Sequence, residues 1–300
     1  MMNITLVDTQ HFYTKACTET VTEDQFKYEV MAPVKEMWEY LNAPMTPKTS
    51  GGYDVVMASE MLGIWTPRKS SDEIKQSYEA LRESGIYEEA AEVIKNAIQQ
   101  FEAINYTIPL EDVVINILLG DKENTILMAS EGYSGFGGIP GYILLIVVPN
   151  AFNKTRLKSA LAHEFNHNVR FTHEPFNHGD VTVGEYIVIE GLAEVFAESL
   201  YGIENRGPWV CDYDKEEMDY TIEVFKDSLD VKGFEQVAAY MYGDEVAKSM
   251  GYLPVGVSRN AGYTIGYHVV KRYLEQTGQT IAEATLTSAK EILEMSGMFK

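Results

Sequence analysis

Residues 163–167 read His163-Glu164-Phe165-Asn166-His167, the pattern H-E-x-x-H. On a helix, residues four apart stand one turn above each other on the same face. Both imidazoles can then point at one ion, as zinc requires. Glu164 flanks the same site without having to ligate, which is where a general base for a metal-bound water belongs. The chemistry this spacing implies is metal-assisted hydrolysis.

A catalytic zinc takes three protein ligands and leaves a fourth position for water. Two downstream residues are candidates for the third ligand. Glu190 lies 23 residues after His167, in Glu190-Gly191-Leu192-Ala193-Glu194. Glu190 and Glu194 share a helical face, so Glu190 can ligate while Glu194 accepts a hydrogen bond from the free nitrogen of a ligand histidine and fixes its tautomer. Glu198 continues this stripe and is expected at the surface. His173 is the alternative, because the run from His163 to His173 has the three histidines of H-E-x-x-H-x-x-G-x-x-H. Arg170 occupies its glycine position, where the chain must turn out of the helix in a conformation that favours glycine, and so argues against it. His173 and His178 are five apart with Pro175 between them and form no helical pair; a loop or cleft wall is their expected place. For the oxyanion of a tetrahedral intermediate, the candidates lie in 259–268. Tyr263 and Tyr267 share a helical face and donate without carrying charge, with Tyr263 preferred; His268 points about a quarter turn away.

These side chains need rigid elements beneath them. Leu157, Leu161, Phe165 and Val169 recur at helical spacing, and Asn153 is placed to cap that helix. Thr182-x-x-Glu185 is a capping box opening a helix to about Tyr201, with Gly202 beyond its end. Upstream, 113–119 and 142–148 read as strands and 125–129 as a weaker one. The stretch 132–141 holds five of its residues as glycine but lacks the Lys-Ser/Thr of a phosphate loop. Residues 20–105 read as mainly helical, with a capping box at Thr22-x-x-Gln25, a kink at Pro33, a second box at Ser70-x-x-Glu73 and an ambiguous stretch at 53–59. After the second metal-site helix come helices over about 215–228, 233–249, 260–277 and 280–295. The order predicts an α+β fold, a small sheet packed on the H-E-x-x-H helix and otherwise mainly helical, with a helical N-terminal region at 1–108 and a metallohydrolase domain at 109–300.

The 300 residues carry 45 acidic and 24 basic side chains, a net charge of −21. Such a surface repels nucleic acid and anionic membrane, so neither is an expected partner. An apolar fraction of 45% fits a packed globular protein. Cys17 and Cys211 are too few for a disulfide framework, no leader or membrane span is evident, and a cytoplasmic protein with reduced thiols is expected.

Together His163-Glu164-x-x-His167 and Glu190-x-x-x-Glu194 resemble the gluzincin zinc metallopeptidases. The motifs Gly135-Phe136-Gly137-Gly138-Ile139-Pro140-Gly141, Ala162-His163-Glu164-Phe165-Asn166-His167-Asn168 and Gly262-Tyr263-Thr264-Ile265-Gly266-Tyr267 are similar to the YjaZ-like group of predicted Zn-dependent proteases, over about 110–275. The resemblance implies a zincin-like fold, Zn2+ bound by His163, His167 and Glu190, Glu164 as base, and a peptide or protein substrate. Asn166 stands where a bulkier residue is usual, and no counterpart appears of the separate histidine that polarises the intermediate in thermolysin-like enzymes. In that architecture an edge strand beside the metal binds peptide by extending the sheet, a role that 142–148 is placed to fill; its unbroken apolar run equally fits a strand buried on both faces. A catalytically inactive zinc-stabilised binding module and a zinc-dependent amidase or esterase are the alternatives.

Overall fold

The computed structural model describes residues 2–69, 74–177 and 179–300. The Ser70-x-x-Glu73 capping box and His178 lie outside the described residues. The chain divides into two compact units, Met1–Asn96 with Pro109–Asn168, and Ala97–Ile108 with Val169–Lys300. The division falls within two helices, so each unit is taken by itself. No helix among the described residues is long and apolar enough to cross a membrane.

The first unit is built on a four-stranded sheet in the order β1-β2-β4-β3. Strands β1 (Asn3–Leu6), β2 (Asp112–Leu119) and β4 (Tyr142–Val147) are parallel, and β3 (Tyr133–Phe136) pairs antiparallel with β4. The apolar runs of β2 and β4 are buried along most of their length, as expected of parallel strands covered on both faces. This places β4 inside the sheet, between β2 and β3, and corrects the expectation that it is the edge. The edge beside it is β3, which the glycine-rich stretch conceals.

Helix α1 (Thr9–Ala16) packs on β2, where Thr9 Oγ1 donates to Ile117 O at 2.8 Å and Tyr13 Oη accepts from Leu119 N–H at 3.0 Å. The Thr22/Gln25 capping box forms and opens α2 (Glu23–Gln25). A π turn over Phe26–Met31 and a 3-10 turn over Ala32–Val34 then lead into α3 (Lys35–Tyr40), so Pro33 interrupts the run as expected. Stretch 53–59 resolves as helix α4 (Val55–Met61), because Asp54 accepts from the N–H groups of Val56 and Met57. Helices α5 (Ile74–Glu83) and α6 (Ile86–Glu102) follow. Residues Thr125–Ala129 form helix α7, not the strand their β-branched content suggested; Asn124 caps them and only Leu127 is buried. Helix α8 (Leu157–His173) follows β4. Asn153 does not cap α8, correcting that reading. It lies in the preceding turns, where its amide donates to Val148 O and Glu131 O, both at 2.9 Å, and so joins the strand end to the helix approach.

The second unit is helical among its described residues, and α9 (Val183–Tyr201) is its centre, buried without a break from Tyr186 to Ala197. The Thr182/Glu185 capping box forms and Gly202 ends the helix. Around it stand α10 (Lys215–Lys226), α11 (Phe234–Tyr242), α12 (Asp244–Ser249), α13 (Ala261–Thr277), α14 (Ile281–Thr285) and α15 (Ala289–Ser296). The two long helices expected over 233–249 and 280–295 are each broken in two, the first at Gly243, whose φ is +84°.

Helix α13 packs along α9 through two glycines. A Cβ at Gly266 would overlap Ile187 O, and one at Gly191 would overlap Gly266 O. The two backbones therefore touch, which only glycine allows. Alanine for glycine inside a helix gains about 1 kcal/mol of propensity, whereas overpacking costs about 1–3 kcal/mol or more. Here the obstacle is backbone and cannot rotate away, so Gly266→Ala is expected to lower the thermal denaturation midpoint; a raised midpoint would contradict the contact.

Candidate metal centre

Helix α8 carries two adjacent stripes of polar residues, each an i,i+4 pair, about 100° apart around the axis. The first is His163 and His167, both buried. Their Nε2 atoms lie 3.1 Å apart and the rings meet edge to face at 4.8 Å. Two nitrogens each about 2.0–2.1 Å from one zinc ion at the tetrahedral angle would stand about 3.3 Å apart. The pair thus has nearly the span of a zinc chelate.

Glu164 and Asn168 form the second stripe. Gly135 in β3 and Gly137 just beyond it are two apart, hence on one face of the strand direction. A Cβ at Gly135 would overlap the Glu164 carboxylate, and one at Gly137 would overlap the Glu164 backbone carbonyl. The strand lies on the helix as bare backbone. Asn168, with no exposed surface, donates from Nδ2 to Gly137 O at 2.8 Å and Tyr142 O at 3.1 Å, and its Oδ1 accepts from Gly141 N–H at 2.7 Å. One amide thus ties both ends of the β3–β4 turn to the helix.

In the second unit, Glu190 and Glu194 are buried on α9. Glu194 accepts from Gly207 N–H at 2.6 Å and from Trp209 Nε1 at 2.8 Å, which fastens segment 207–209 to α9. The Trp209 ring stands 6.4 Å from Tyr263, and the Tyr242 ring stands 6.0 Å from it. Tyr242 hydrogen-bonds to Tyr186 and Tyr263. Burial first, then the Tyr242 hydroxyl and the Glu190 carboxylate, push the Tyr263 pKa well above the usual phenol value. The Tyr263 hydroxyl therefore keeps its proton at neutral pH and serves as a donor.

Tyr267, although on the same helical face, does not share this environment. Its hydroxyl donates to Glu198 Oε2 at 2.5 Å, and Lys271 Nζ donates to Glu198 Oε1 at 2.9 Å. Glu198 is accordingly half-buried and engaged, not surface-directed. His268 lies beside the Tyr267 ring at 5.2 Å, its pKa lowered by burial and then by Arg206.

The turn that the His173 alternative requires at residue 170 does not form. Helix α8 continues through Arg170 to His173, with no turn at the glycine position. Six further residues carry His173 about 9 Å along the axis from His167, and its surface is exposed. It lines a cavity of about 950 Å³ with Glu174, Phe176 and Asp180, as its reading as a cleft-wall residue anticipated. Arg170 is buried instead, donating to Thr285 O at 2.8 Å and to Thr287 O, and pairing with Glu174.

His163 and His167 in the first unit and Glu190 in the second are all buried, and all are of residue types that can ligate a metal ion. Gly135, Gly137 and Asn168 stand in the motifs that carry the resemblance, but their contact with one another was not anticipated; two glycines at strand spacing ahead of an H-E-x-x-H helix are the signal that could have found it.

Residues 86–294 match the family described as "Predicted Zn-dependent protease (DUF2268)". The Bacillus subtilis (strain 168) protein YjfC, itself uncharacterised, is 40% identical over 300 residues, covering 99% of each chain. YjaZ of the same organism, also uncharacterised, is 24% identical over 139 residues, which span 46% of this chain and 50% of YjaZ. No solved structure matches.

Replacing Arg170 by Ala leaves two carbonyls without a charged donor, at a cost of about 2–4 kcal/mol. The denaturant midpoint of Arg170→Ala should fall accordingly while bound metal per folded chain stays unchanged. Loss of metal at unchanged stability would return Arg170 and His173 to the site.

Proposed function

Since the chain belongs to the family of predicted Zn-dependent proteases, we propose that it is a gluzincin-type zinc peptidase with a zincin-like arrangement of sheet and α8. In this reading His163, His167 and Glu190 hold the ion and Glu164 is the general base. The observation that carries it is the pair of buried imidazoles with Nε2 atoms 3.1 Å apart, with Glu164 next to the first of them in sequence. When bound, zinc supplies a water of lowered pKa and a Lewis acid for the scissile carbonyl.

Glu164 accepts the proton of the attacking water as its oxygen bonds to the carbonyl carbon. It then delivers that proton to the amine nitrogen as the C–N bond breaks. The Tyr263 hydroxyl, protonated through the neutral range, donates to the oxyanion that develops between these steps. Glu194 holds Trp209 beside Tyr263, and in the proposed enzyme it also fixes the tautomer of a ligand histidine. Strand β3 is a sheet edge, so an extended peptide adding to it would run past Gly135 and the Glu164 carboxylate beneath. A non-catalytic binding module would have no use for a general base against this strand.

Glu164→Gln should keep about one zinc per chain and lower kcat on a peptide substrate by about 10²–10⁴-fold. Unchanged, chelator-sensitive turnover would remove Glu164 as base. Elemental analysis of Glu190→Ala should show zinc occupancy sharply reduced, with His173→Ala like the wild type; the reverse pattern would replace Glu190 by His173 in the ligand set.

A further inference from the structure

Glu164 lies directly against glycine backbone. Its carboxylate lies where a Gly135 Cβ would be, and its own carbonyl lies where a Gly137 Cβ would be. Neither glycine makes a side-chain contact that could fix the spacing between strand and helix. The only side chain of this stripe that bonds both ends of the β3–β4 turn is Asn168, one helical turn below Glu164 among the described residues. Its amide also reaches Glu164 O at 3.4 Å, so the helix carbonyl, the end of β3 and the start of β4 meet at one nitrogen. All these atoms belong to the first unit.

We propose that Asn168 is a positioning residue, holding the glycine turn at the distance from α8 that fixes the Glu164 carboxylate and, with it, the edge of β3. This rests on the peptidase reading and deepens it. His163 and His167 occupy the neighbouring stripe, about 100° around the helix, so loss of the Asn168 amide should disturb the base and spare the metal. An amide is suited to the task because it offers an acceptor to Gly141 N–H and two donors to carbonyls at once, without a charge beside Glu164. A hydroxyl at this position is too short to reach both ends of the turn.

The test uses the full chain with Asn168→Ala, and Asn168→Ser as a second variant should the first not fold. Four quantities are measured: zinc content, amide exchange at Gly141, kcat and KM with their pH profiles, and the pH midpoint of the visible spectrum after Co2+ replaces zinc. The expected result is zinc near one per chain, faster exchange at Gly141, kcat reduced about 10–100-fold with a smaller change in KM, and displaced acid limb and Co2+ midpoint. Wild-type kcat and an unmoved acid limb would overturn the proposal, as would a fall in kcat matched by an equal loss of zinc. If the wild-type chain cleaves no peptide, the peptidase reading fails by itself. The Gly141 exchange and the Co2+ midpoint then still decide, and both unchanged in the variant would overturn the role of Asn168.

Discussion

An i,i+4 repeat gives a helix a stripe of two side chains, and α8 uses that repeat twice, side by side. His163 and His167 converge to 3.1 Å at their ring nitrogens. Glu164 and Asn168, one residue further along, face the glycine strand. The constraint on which the rest depends is that these two stripes need different neighbours. In the proposed enzyme two imidazoles would keep space at their tips for an ion, and a carboxylate that moves protons would be held against a surface that neither neutralises nor displaces it. Glycine backbone meets the second requirement: it is close, polar, and has no side chain to compete for the carboxylate.

The second unit solves a similar problem with the same device. Gly191 and Gly266 bring the backbones of α9 and α13 into contact. Glu190 precedes Gly191, and Tyr263 lies one turn before Gly266 on α13. The touching backbones therefore bring a buried carboxylate and a half-buried phenol close enough for the charge on one to raise the pKa of the other. Trp209, held by Glu194, and Tyr242 both stand within ring-contact distance of Tyr263.

Much of this was legible in the sequence because it is local. The histidine pair, the capping boxes at Thr22 and Thr182, and the apolar runs of β2 and β4 are all set by residues within a few positions of one another. What was missed depends on contacts far apart in the chain. Strand β3 is hidden because Gly135, with Gly137 just beyond the strand, is suited to what lies beneath it, Glu164, and not to strand propensity. The helix Thr125–Ala129 follows from the cap at Asn124, which overrides two β-branched residues. Tyr267 shares a helical face with Tyr263 yet is claimed by Glu198, 69 residues away, a pairing no spacing rule announces. The sequence did expose Arg170 as the wrong residue for a turn, and the helix does run straight through it.

Anomalous diffraction at the zinc edge, from crystals of the zinc-loaded protein, tests the central claim most directly. The account predicts one strong peak about 2.0–2.2 Å from His163 Nε2, His167 Nε2 and a Glu190 carboxylate oxygen. A peak held by other side chains, or no peak between the two imidazoles at saturating zinc, would contradict it.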